Sequence, residues 1–252
     1  MTPEVLPTSF DTLLVAVSIL VSFCGAYAAL ASAAHIRGAD GTVNPLNALL
    51  AGVALGGVGI WSMHFLGMEA WKTGLAVGYG AIGTVLSLLV AVLASAVALG
   101  YMAAAHFSWQ RLAVAGPLAG LGVSAMHFLG MDAMRFGGFL EWHVGRTLLA
   151  VLIAVVAATA ALWLAFHVRS AKHRVAAAAV MALAVCAMHY TGMAAADVVC
   201  TTTDRYARIA GLLYSDDMKL LVGVVGVGIA LMVGLDALLQ RITQTRDSLS
   251  SR

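Results

Sequence analysis

Charge is scarce in this chain. Asp, Glu, Lys and Arg make up 10% of its 252 residues, and 62% are hydrophobic. A soluble domain carries about 25% charged residues. With a mean hydropathy of +0.94, a water-soluble globule is excluded and a polytopic membrane protein is expected. The net charge of +2 leaves no basic footprint for a nucleic acid. Cysteine is also scarce: Cys24, Cys186 and Cys200 are an odd, widely spaced set, which is not a disulfide framework. No Lys or Arg precedes the first apolar run in MTPEVLPTSFDTLL. A cleaved secretory signal needs a positive n-region, so the first span is expected to be retained. No polar stretch is long enough for a soluble domain.

Apolar runs are what is there. A membrane helix needs about 20 mostly apolar residues. Seven runs qualify: Phe10–Ala34, Leu46–Ala70, Val77–Ala104, Leu112–Met134, Gly145–Phe166, Val175–Val198 and Lys219–Leu239. Short polar segments separate them, the longest being CTTTDRYARIAGLLYSDD. The fold class that follows is all-α: seven transmembrane helices in one membrane domain over 10–239, with a short cytoplasmic tail over 240–252. Counting alternate sides, eight basic residues (among them Arg37, Arg111, Arg174 and Arg241) face six on the other (among them Lys72, Arg135, Arg205 and Lys219). The positive-inside rule then places the N-terminus outside and the C-terminus in the cytoplasm.

One signature recurs. It reads MHFLGM at Met63–Met68, MHFLGM at Met126–Met131 and MHYTGM at Met188–Met193, starting 63 and then 62 residues apart. Each copy ends an even-numbered span. The chain is therefore three parallel two-helix repeats plus a seventh helix, and the motifs share one depth near the outer face. Parallel repeats are related by an axis along the membrane normal.

Ionisable residues inside spans are expensive and point to function. His64 and Met68 stand four apart, on one helix face, as do His127 with Met131 and His189 with Met193. Met63, Met126 and Met188 are rotated about 100° from their histidines and face a neighbour. Imidazole with thioether selects a soft metal, copper as Cu(I) or Cu(II), ahead of magnesium, calcium or manganese. Haem is the lesser alternative, since His and Met are both axial ligands. Gly67, Gly130 and Gly192 either let helices approach closely or leave room beside the imidazole. Cys186, three residues before His189, is an extra soft ligand or a small buried residue. Tyr190 bonds a ligand or sits at the interface. Glu69 and Asp132 are outer partners of the imidazoles or interfacial charges. His35, His106, His143, His167 and His173 are given no role.

With those residues in view, the sequence resembles the MHYT domain family, named for the motif that stands intact at Met188-His189-Tyr190-Thr191. The other two copies read MHFL and keep Met, His, Gly and Met. The resemblance implies a bacterial inner-membrane sensor domain whose motif residues bind copper and whose copper answers O2, CO or NO. It also implies signal transduction to domains that make or degrade cyclic di-GMP. Only the 13 residues Gln240–Arg252 follow the last span here, so signalling is expected to run through a separate partner. The competing reading is copper transport, storage or delivery. Ligands gathered at one depth favour sensing or storage over conduction. No nucleophile–base pair or cofactor motif points to an enzyme.

Overall fold

The computed structural model describes residues 2–38, 41–168, 170–228, 231 and 234. Six helices among these are long and apolar enough to cross a membrane. They are α1 (Thr12–Ala33), α2 (Pro45–Ala70), α3 (Ala81–Ala103), α4 (Trp109–Asp132), α5 (Val144–His167) and α6 (Ala171–Met193). The seventh expected span begins as a helix, α7, over 215–228. Apart from residues 231 and 234, the rest of that span and the tail at 240–252 lie outside the described residues.

Helix starts follow capping chemistry. Asp11 accepts from the backbone N–H of Leu13 and Leu14, and Asn44 from Leu46 and Asn47 with Pro45 at the first helical position. Ser108 and Ser170 cap α4 and α6 in the same way.

The six helices close into a ring. Each packs against its chain neighbours, and α1 packs against α6. α2, α4 and α6 also meet one another at the motif end, so the three repeats share a centre. Burial follows this arrangement: 78%, 44% and 44% of the α2, α4 and α6 spans are buried, against 33%, 33% and 17% for α1, α3 and α5. Small residues set the contacts. A Cβ at Gly25 would overlap the backbone of Gly59, and one at Gly56 the backbone of Ala91. Such close approach is how helices associate in lipid, where hydrophobic burial alone offers no drive.

Two features depart from the all-α expectation. Short strands form at the motif end: β1 (Glu4–Val5), β2 (Ser9–Phe10), β3 (Trp71–Lys72), β4 (Gly78–Tyr79), β5 (Met134–Arg135), β6 (Gly138–Trp142) and β7 (Ala196–Cys200). They pair as β1–β7–β6, β2–β3 and β4–β5. The expected third, fourth and sixth spans ran into these strands, because Val77, Tyr79, Met134, Ala196 and Val198 continue the apolar character of the helices beside them. Leu6, Trp71, Tyr79, Met134, Val198 and Cys200 are buried in the core that holds five of the motif methionines, so the strands form a lid. Second, α2 changes winding: Val53–Ser62 is a π-helix between two α-helical segments. π segments within α-helices occur often at functional sites.

Candidate metal centre

The three repeats deliver His64, His127 and His189 to the ring axis, each fully buried at 0% exposure. Their Nδ1 atoms face one another. His64 to His127 and His64 to His189 are each 3.1 Å, and His127 to His189 is 3.3 Å. The rings meet edge-on, with interplanar angles of 78°, 85° and 86°. The outcome is a near-equilateral triangle of nitrogens.

Protons alone cannot satisfy that triangle. A ring nitrogen carries either a proton or an in-plane lone pair. Three nitrogens can therefore hydrogen-bond along at most two edges, and the third sets like against like. The tautomer that frees all three Nδ1 lone pairs puts the proton on Nε2. Each Nε2 is buried and has no hydrogen-bond partner among the described residues. Leaving a buried polar atom unpaired costs about 1–3 kcal/mol. A cation on the axis would relieve the Nδ1 conflict. The point equidistant from the nitrogens lies about 1.8 Å from each, so an ion slightly off their plane would meet the roughly 2.0–2.1 Å of a metal–imidazole bond.

The motif glycines hold the rings in place. A Cβ at Gly67 would overlap Nε2 of His189, one at Gly130 would overlap His64, and one at Gly192 would overlap His127. Each repeat thus supplies the gap that seats the imidazole of another repeat, in cyclic order. Of the two roles expected of these glycines, close approach is the one seen, and the group that approaches is another repeat's imidazole. The cyclic pairing itself was not visible in the sequence, because it depends on which helices the ring places side by side.

The six motif methionines, Met63, Met68, Met126, Met131, Met188 and Met193, are buried at 1–3% exposure. Cys186 is buried but stands outside the imidazole cluster. Trp61, its counterpart in the first repeat, donates from Nε1 to Ser87 Oγ at 3.0 Å and ties α2 to α3. Tyr190 shares a 2.9 Å hydrogen bond with Ser18 on α1. Glu69 turns to the lid: Ser215 donates to its carboxylate, whose charge acts on the Tyr79 phenol. The buried Tyr79 phenol is pushed well above its ordinary value of 10.0, by desolvation first and then by the Glu69 charge. Asp132 is exposed, and Arg135 donates to its backbone carbonyl. Among the described residues neither acid bonds a motif imidazole.

The deciding comparison is with a family of repeats. The profile MHYT, described as a bacterial signalling protein N terminal repeat, matches residues 57–115, 120–178 and 183–249. The chain belongs to the MHYT family. Each matched segment starts just ahead of a motif and runs through the following helix. The chain is 42% identical over 194 residues to the bifunctional diguanylate cyclase/cyclic di-GMP phosphodiesterase MucR of Pseudomonas aeruginosa, covering 75% of this chain and 28% of that protein. It is 35% identical to an uncharacterized signaling protein of Caulobacter vibrioides, covering 77% of this chain and 24% of that one. It is 27% identical to the signaling protein YkoW of Bacillus subtilis, over 75% of this chain and 24% of that one. The chain thus spans about a quarter of the length of these MHYT relatives. No solved structure matches it. Six apolar helices and membership of this family make it a membrane protein of a signalling family.

Proposed function

We propose that this protein is a copper-binding sensor of the bacterial inner membrane. The observation that carries the reading is the triangle of Nδ1 atoms at 3.1–3.3 Å, which three neutral imidazoles cannot satisfy among themselves. Imidazole suits zinc, copper, iron and nickel alike. The six buried methionines tilt the choice to copper, because thioethers are soft donors and zinc seldom takes them. His64, His127 and His189 would hold the ion, with motif sulfurs available as further ligands. Bound copper would supply an open coordination position for O2, CO or NO, or a change of redox state. Haem fits poorly: three rings within 3.3 Å of one another leave no slot for a porphyrin.

The motif end is read as the outer face, with the C-terminus in the cytoplasm. The signal would then leave at the opposite end for a partner of the kind the relatives are named for, one that handles cyclic di-GMP. We assign no catalytic activity to the residues of this chain. Copper storage or delivery is the second reading, favoured by the methionines. Conduction is disfavoured, because the space on the far side of the triad is walled almost wholly by aliphatic side chains, with Met181 and Met188 as its soft donors among the described residues. Copper flux into liposomes separates these readings: no flux, with copper retained by the protein, is expected of a sensor. Sustained flux abolished by His127→Ala would replace sensing with transport.

A further inference from the structure

On the side of the triad away from the lid lies an apolar cavity of about 50 Å³. A single water needs roughly 10–15 Å³ and two to four polar partners. Among the described residues Ser95 is the one polar side chain in the lining; the rest is Ala, Leu, Ile, Val and Met. A space of this size and lining stays dry or takes an apolar guest.

Its position is set by the repeat. Ile60, Val123 and Val185 line it, and each stands four residues before a motif histidine. Met188, beside His189, lines it too. The cavity therefore begins about one turn below the imidazoles, on the side toward which helical side chains lean. On α5 its lining runs from Ala154 to Ala165, roughly 17 Å at 1.5 Å per residue. One wall is thin. Ala157, Ala158 and Ala161 line the cavity on α5, the least buried helix, whose Leu152, Val156 and Trp163 are exposed. That surface faces acyl chains in a membrane. The lid closes the other route, with Leu6, Trp71 and Tyr79 buried beneath it.

We propose that this cavity is a binding site for a small uncharged apolar molecule of diatomic size, which reaches the triad from the bilayer past the alanine wall of α5 rather than from water. Apolar gases partition into hydrocarbon, so the membrane concentrates them at that wall. Delivery to a metal rests on the copper reading above; occupancy of the cavity does not.

Xenon is the probe. Crystals of the full chain under xenon pressure should show one site between Val123, Ala154 and Met188. Ala98→Leu and Ala154→Leu fill the cavity from opposite walls, at positions 6% and 2% exposed. Each should remove the xenon while leaving the helical fold and the copper content unchanged. In the copper-loaded protein each should also slow CO association by about tenfold. Three results overturn the proposal: no xenon in the parent, xenon retained in both variants, or a co-purified acyl chain filling the space. A parent that takes xenon but never binds copper would refute the metal reading and leave the cavity standing.

Discussion

At the scale of single residues, the site depends on what three glycines lack. Gly130 has no side chain, and its missing Cβ is where the His64 ring sits. Gly130→Ala should swing that ring off the axis. The expected result is a loss of copper affinity of roughly 10–100-fold, the range seen when groups that orient a ligand are disturbed. Equilibrium competition with a Cu(I) chelator measures it. Gly100→Ala is the control: its Cβ would meet Ala48 at an ordinary 3.5 Å. Relieving helix-interior glycine there should add about 0.5–1 kcal/mol of stability and leave copper binding alone. Equal copper affinity in both variants would contradict the packing role of Gly130.

Among the elements, the lid and the π segment are where sequence and structure part. Hydropathy exposed six helices because a span must be apolar along its whole length. The motif histidines were legible because ionisable groups stand out against that background. The strands were not legible. β3, β4 and β5 are two residues each, and their pairings join segments far apart in the chain. A strand that short has no alternation to read. The π winding of Val53–Ser62 was hidden as well, since Gly56, Gly57 and Gly59 fit a close α-helical packing equally well. The imidazole–glycine cycle needed the ring closed before any pairing could be read.

The lid carries its own test. Tyr79 sits buried in β4 with a phenol held above its ordinary value. Above about pH 10 the unfolded chain releases this proton while the folded chain keeps it. The unfolded state then binds fewer protons, so stability falls as pH rises. Thermal unfolding in detergent between pH 9 and 11 should show a decline that is shallower in Tyr79→Phe. Parallel declines in both proteins would remove Tyr79 as the cause.

For the whole molecule, the ring of six helices turns sequence repetition into a shared centre. α1 packs on α6, so the first repeat meets the third, and each imidazole finds its seat on another repeat. A break anywhere in the ring should therefore reach the centre. Gly25→Val drives a side chain into Gly59, four residues from Met63. It should weaken both the fold and copper binding, seen together as lower thermal stability and lower metal content. Orientation is tested by labelling. Cysteine placed at Thr201, in the lid region, should react with an impermeant maleimide on intact cells, and cysteine at Lys172 should not. The reverse pattern would invert the topology.

The most direct test is the metal content of the detergent-purified protein, measured by mass spectrometry beside a variant with His64, His127 and His189 all changed to Ala. Copper held by the parent and lost from a variant that keeps its helical content is the expected result. No copper in the parent even after reconstitution with Cu(I), or equal copper in both proteins, would contradict a metal centre built on the three imidazoles.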